Sequence, residues 1–192
     1  EYNKLKTAES YLGGLIAENE KQLDYLDSVL DEIERSESEK DLADIRRELN
    51  GTGFLKKTSG GKPERVKTQQ PMSFTSSDGF EILVGRSNAM NDELTNKVAR
   101  RTDMWLHVQK IHGSHVIIRC EGGEAPERTI EEAAGLAVYY SQARQGGRAA
   151  VDYTMVRNVK KPSGAMPGFV IYTDYKTIVA EGSEELETRL KK

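Results

Sequence analysis

The chain has 192 residues, 31% charged and 36% hydrophobic, with a formal net charge of -3. That length accommodates one ordinary domain plus an appendage. It holds no apolar run near the roughly 20 residues that a membrane-spanning helix needs, so no membrane partner is expected. The first residues, Glu1-Tyr-Asn-Lys-Leu-Lys, lack an apolar signal-peptide core and open in mid-helical pattern, which predicts a piece of a longer cytoplasmic protein. A single cysteine, Cys120, excludes an internal disulfide and fits a reducing compartment.

The charge is segregated. Residues 1–50 carry 7 Lys and Arg against 14 Asp and Glu, and the remainder carries 21 against 17. The two parts therefore face different surroundings.

In chain order, Leu5, Glu9, Leu12, Ile16, Asn19, Leu23, Leu26, Leu30 and Ile33 recur at alternating spacings of four and three. That is a coiled-coil seam with two polar positions. Gly13-Gly14 inside it predicts a kink or a close approach. A lone seam helix cannot bury its stripe, so it needs a second copy, giving a homodimer, or a preceding helix as partner. A shorter helix carrying Leu42, Ile45 and Leu49 ends at Asn50-Gly51. Residues 51–71 read as a linker with Lys56, Lys57, Lys62, Arg65 and Lys67, either a solvated hinge or a basic strap over phosphates.

Strand patterns follow at 72–76, 80–86, 104–109, 114–119, 151–156, 169–173 and 176–180. Asp78-Gly79 and Thr173-Asp174-Tyr175 are hairpin-turn signals. Helices are predicted over 90–100 and 129–144, the second with Thr129 as cap and Glu132 as its capping-box partner. The chain thus divides into an arm (1–50), a basic linker (51–71) and a domain (72–192). The fold class is α+β: a largely antiparallel mixed sheet with two packed helices, preceded by a long N-terminal coiled-coil helix.

Residues able to carry chemistry concentrate between Arg86 and Arg119. His107, His112 and His115 lie close in sequence, and a hairpin of 104–109 with 114–119 would make His107 and His115 neighbours. No cysteine pair supports zinc, so neither metal nor cofactor is expected. Ser114 and His115 point to opposite faces of a strand, which is poor geometry for a nucleophile and its base, so no catalytic residue is assigned. Trp105 is either core filler or, with His107, a stacking platform for an unpaired base, with Arg86 and Arg119 on phosphates. Asn88 and Asn91 flank a helix start, where they cap it or bond a ribose or base edge. Arg144, Arg148, Arg157, Lys160 and Lys161 form a second basic run before the loop Pro162-Ser-Gly-Ala-Met-Pro-Gly168, read as surface charge or as a wrap for a nucleic-acid backbone.

Ordered blocks carry a family resemblance: Asn88-x-x-Asn91-Asp92, Asp103-x-Trp105-x-His107, Gly113-Ser114-His115-Val116, Glu132-Ala-Ala with Tyr140-Ser141, and Lys160-Lys-Pro ending in Pro167-Gly168. Over roughly residues 72–182 the chain resembles NFACT-R, the RNA-binding domain of the RqcH/NEMF ribosome quality-control proteins, whose bacterial members were labelled fibronectin-binding proteins. Family members commonly have two adjacent Asn where this chain has Ser87-Asn88, and Pro where it has His112. The resemblance implies binding to obstructed large ribosomal subunits, ribosomal RNA and tRNA in support of C-terminal tailing. Taken with the residue readings above, the expected RNA-contacting residues are Arg86, Asn88, Asn91, Asp103, Trp105, His107, Ser114, His115, Arg119, Arg157, Lys160 and Lys161. The alternatives are a fibronectin- or fibrinogen-binding adhesin and a protein-interaction scaffold.

Overall fold

The computed structural model describes residues 2–56 and 69–191. The linker cations Lys57, Lys62, Arg65 and Lys67 lie outside them.

Helix α1 (Tyr2–Arg35) runs unbroken through Gly13-Gly14, and among the described residues no other element comes within 4 Å of where a Cβ on either glycine would sit. The expected close approach is absent there. Leu5, Leu12, Ile16, Leu23 and Leu30 are each at least 55% exposed, so the seam is left open. The helix docks through a different stripe. Tyr25 and Val29 bury against Ile45 of α2 (Glu39–Thr52), with Leu26, Leu49, Phe54 and Met166 around them. Ser38 caps α2 by accepting the Asp41 backbone N–H, and Gly53 ends it in the left-handed conformation at φ 86°.

The domain is a six-stranded sheet in the order β1-β2-β4-β3-β5-β8, with every pairing antiparallel. Its strands are β1 (Met72–Thr75), β2 (Glu81–Val84), β3 (Met104–Val108), β4 (Val116–Ile118), β5 (Arg148–Met155) and β8 (Lys176–Glu181). Asp78-Gly79 makes the β1–β2 turn, with Gly79 at φ 87°. Alternation along each strand feeds two cores. Ile82, Val84, Leu106, Val108, Val116 and Ile118 meet the small-residue face of α4 (Glu127–Tyr139). Leu83, Trp105 and Ile117 point the other way, toward Leu94, Val156 and Tyr172.

Several local expectations are corrected. Thr129 does not cap α4, which starts at Glu127 behind Pro126. Its hydroxyl is buried and bonds Ser76 Oγ at 3.0 Å and Asp78 Oδ2 at 2.8 Å. Glu132 accepts the Ser77 backbone N–H at 2.8 Å, so both residues stitch the helix to the β1–β2 turn. The helix ends at Tyr139, and Ser141 caps a separate 3-10 turn, Gln142–Gln145.

The Thr173-Asp174-Tyr175 turn does not join paired strands. Short β7 (Ile171–Tyr172) pairs with β6 (Val159–Lys160) outside the main sheet, while β8 pairs with β5. Thr154 of β5 holds the turn by donating to the Thr173 and Asp174 carbonyls, each at 3.0 Å. A third packed helix, α5 (Glu184–Leu190), completes the α4 layer through Leu186 and Leu190.

Candidate nucleic-acid interface

The chain leaves β2 at Gly85 and enters α3 (Asn88–Glu93), capped by Ser87, whose hydroxyl accepts the Met90 N–H. The predicted long helix becomes this short one followed by a π-helical turn, Leu94–Val98. Asn91 lies inside, 3% exposed, and its Oδ1 accepts the His115 backbone N–H at 3.0 Å. Gly85 donates to the His115 carbonyl at 3.0 Å, and a Cβ on it would strike the Asn91 amide. Glycine is therefore required by close approach, since its φ is ordinary.

The β3–β4 pairing sets Leu106 opposite Val116, which brings His107 and His115 together with ring centroids 5.4 Å apart. Trp105 is fully buried between them and Tyr172, at 5.7, 5.2 and 4.8 Å from His107, His115 and Tyr172. Its indole N–H has no partner among the described residues. His115 Nδ1 meets Thr95 Oγ1 at 2.8 Å, and His107 Nε2 lies 3.3 Å from the Gly113 carbonyl. A carbonyl only accepts, so Nε2 carries the proton and Nδ1 of His107 is an acceptor. Burial holds the His107 imidazole down at about 4 and pushes His115 well below the usual histidine range, with His107 beside it. Both rings are neutral at physiological pH.

The arm docks on the same side of the sheet. Asn88 donates to Ser28 Oγ at 2.8 Å, and Arg35 donates to Ser114 Oγ at 3.3 Å. Arg86 bonds the Gln70 carbonyl at 3.3 Å and lies 3.7 Å from Asp41. Glu48 accepts the Ala89 N–H at 2.8 Å and the Tyr25 hydroxyl at 2.7 Å. Beside it, buried Glu32 has one carboxylate oxygen without a partner among the described residues. Burial first, and then the Glu48 charge, raise its carboxyl well above the usual range.

Asp103 is fully buried and accepts from the Arg100 N–H at 2.8 Å, the Cys120 N–H at 3.1 Å and the Arg119 guanidinium at 3.0 Å. Arg119 also donates to the Val98 carbonyl at 3.0 Å. These two candidates bind each other and fasten the turn before β3 to the end of β4. Lys161 is paired with Asp92, whose other oxygen accepts the Gly168 N–H at 3.1 Å. One carboxylate thereby holds both ends of the Pro162–Gly168 loop.

Arg157 and Lys160 are exposed. Arg157 N–H bonds the Arg101 carbonyl at 3.3 Å, which places exposed Arg100 and Arg101 on the same edge of the domain. Among the described residues none of these cations forms an ion pair. Sequence reasoning passed over Arg100-Arg101, although an Arg pair just before a strand was a visible signal. Among the described residues no group of three or more His, Cys, Asp or Glu side chains could hold a metal ion. No described helix is long and apolar enough to cross a membrane.

A helical arm docked on an antiparallel α+β domain, with a neutral aromatic wall and an unpaired basic edge, defines a binding module. Residues 70–172 match the NFACT protein RNA binding domain, and residues 1–68 match the NFACT N-terminal and middle domains. The chain belongs to the NFACT family and carries its RNA-binding domain. It is 37% identical to the Rqc2 homolog RqcH of Bacillus subtilis over 193 residues, covering 100% of this chain and 33% of that protein. It is 40% identical to the Rqc2 homolog RqcH of Streptococcus pneumoniae over 179 residues, covering 92% of this chain and 32% of that one. The chain thus spans about a third of the length of these curated relatives. A solved structure of the C-terminal part of the fibronectin/fibrinogen-binding protein from Streptococcus suis superposes with a TM-score of 0.93 at 36% identity, covering 100% of this chain and 76% of that one.

Proposed function

We propose that this chain is the RNA-contacting module of a ribosome quality-control factor that binds obstructed large ribosomal subunits and tRNA and supports C-terminal tailing of stalled nascent chains. The support is the similarity to RqcH proteins together with the RNA-binding family match. One structural observation carries the reading: Arg100, Arg101 and Arg157 are exposed on one edge, and Lys160 is exposed three residues beyond Arg157, all without acidic partners among the described residues. Unpaired cations in a row suit a phosphate backbone, whereas cations already bridged to carboxylates would have to break those pairs first. On this reading Arg157 and Lys160 contact phosphates directly. Asp103, Arg119, Asn91 and Ser114 position the surface from beneath, and Arg86 and Asn88 fix the arm. The open seam of α1 packs on a helix outside this chain or on a second copy.

The test is co-sedimentation with purified large ribosomal subunits, either vacant or carrying peptidyl-tRNA. The reading predicts retention on the obstructed subunits, lost on Arg101→Ala/Arg157→Ala/Lys160→Ala. Equal, variant-insensitive behaviour toward both subunits would contradict it. The Streptococcus suis relative's name favours a second reading, a fibronectin- or fibrinogen-binding surface. Immobilised fibronectin retaining the native chain and the triple variant alike, with no retention on ribosomal subunits, would select it.

A further inference from the structure

Beneath the Pro162–Gly168 loop lies a cavity of about 590 Å³, bounded by α1, β3 and β7. This is within the range of about 300–1,000 Å³ that small-molecule pockets occupy. Its walls include Trp105, His107, His115 and Tyr172, and Lys21 and Lys110 stand exposed on its lining.

We propose that this cavity seats a single unpaired nucleobase of bound RNA, with the base against the His107 and Tyr172 rings and a polar edge on the Trp105 indole N–H. The inference rests on the RNA-binding reading above and names the part of the RNA that enters the domain.

Four observations carry it. The first is chemical. Trp105 is fully buried, yet its N–H, which can only donate, finds no acceptor among the described residues. A buried donor left unpaired costs about 1–3 kcal/mol and calls for an explanation, and a ligand acceptor supplies one. Nδ1 of His107 offers a complementary acceptor, because Nε2 is directed at Gly113. A nucleobase edge carries donors and acceptors side by side and matches that pair.

The second is charge. Both histidines are held neutral by burial, and the arm contributes Glu18 and Asp24 to the lining. A phosphate would meet no buried cation and two carboxylates. A neutral base needs no buried counter-charge and packs on the rings and on Val108, Met166 and Val170, while Glu18 accepts from an exocyclic amino group and Asp24 stays 3.5 Å from His112. Lys21 and Lys110 remain outside for the flanking phosphates.

The third is shape. Trp105, His107 and Tyr172 form a contiguous aromatic cluster, with Trp105 and His107 stacked at 15° between planes. Base-on-ring stacking is the sequence-tolerant way to hold an unpaired base.

The fourth is a built closure. The loop over the cavity is the connection of the small β6–β7 ribbon, and Asp92 grips it at Lys161 and at Gly168. Gly168 is at φ 80°, and a Cβ there would strike the Asn88 side chain. The loop therefore closes down to the base of α3 only because residue 168 is glycine. Met166 of the loop rests on the Tyr25, Val29 and Ile45 cluster of the arm, so arm and loop enclose the space together. With the loop down the indole N–H is sealed from solvent, so the proposal requires the loop to lift for a base to reach it.

The test uses the native chain and three labelled RNA hairpins: one with a single bulged adenosine, one with the same bulge made abasic, and one fully paired. Anisotropy gives affinity. Emission of Trp105, the single tryptophan of the chain, reports on the cavity. The proposal predicts that the abasic RNA binds roughly 5- to 150-fold more weakly than the adenosine bulge, since stacking of one base is lost. Only the adenosine bulge should quench Trp105. Equal affinity for bulged and abasic RNA with equal Trp105 emission would overturn the cavity assignment and leave backbone binding intact. Failure of all three RNAs to bind at low salt would overturn the RNA-binding reading, and the cavity assignment with it. Trp105→Phe keeps a ring and removes the N–H. Once its fold is confirmed by circular dichroism, it should narrow the ratio between adenosine and abasic bulges.

Discussion

The side-chain oxygen of Asn91 accepts the backbone N–H of His115 at 3.0 Å, which ties α3 to the residue that leads into β4 beside the aromatic wall. Gly85 lies against that amide so closely that any side chain would displace it. Gly85→Ala should therefore cost about 1–3 kcal/mol by leaving a buried donor unpaired. Urea unfolding of the two proteins measures this, and an unchanged midpoint would show that the contact is dispensable.

Asp103 is fully buried, with Arg119 and two backbone N–H groups on it. Removing one partner of a buried pair leaves the other charge uncompensated. Asp103→Ala should destabilise by about 3–5 kcal/mol, with Asp103→Asn between it and the native protein. Denaturant titration separates the three. A cost below that of an ordinary surface change would mean that Glu81, already 3.8 Å from Arg119, compensates the guanidinium.

The neutral histidines set an acid limit. His107 is held at about 4, below the ordinary value of 6.5, so its folded form disfavours the proton. Its contribution to stability is present above pH 6.5 and is lost as pH falls toward about 4. His107→Gln should flatten the loss across that window by about 1–3 kcal/mol. Melting temperatures of native and variant chains at the two ends of the window give the difference.

Glu32 behaves in the opposite sense. Its carboxyl is raised by burial and by Glu48, so its contribution is full below its ordinary value of 4.5 and is lost as pH rises through the folded value. Glu32→Gln should raise stability at pH 8 by about 1 kcal/mol, an increase of a few degrees in Tm, and should remove the corresponding pH slope. A variant that melts lower than the native chain at pH 8 would show that the carboxylate has a partner.

Apolar runs and the Asp78-Gly79 turn made the centre of the sheet legible, because consecutive apolar residues such as Ile82, Leu83 and Val84 fill the cores on both faces. The same logic anticipated that His107 and His115 would meet. Capping was misread at Thr129 because a hydroxyl before an apolar run serves a turn as well as a helix end, and here Ser76 and Asp78 compete for it. The arm's contact face was hidden for a similar reason. Its leucine seam dominates the pattern, yet the docking stripe is Tyr25 and Val29, which the seam does not include. Asp92 stands in the Asn88-x-x-Asn91-Asp92 block, but nothing local to it marks its hold on the loop. Its role follows from Lys161 and Gly168, which are far away in sequence and adjacent only in the fold.

The central claim is that exposed Arg101, Arg157 and Lys160 hold RNA phosphates. The decisive measurement is the affinity of the native chain and the Arg101→Ala/Arg157→Ala/Lys160→Ala variant for labelled tRNA across a salt series. The account predicts linear weakening in log salt, with the variant's slope shallower by about three, close to one per phosphate contact removed. Identical slopes, with both proteins folded, would place the RNA elsewhere on the molecule and contradict it.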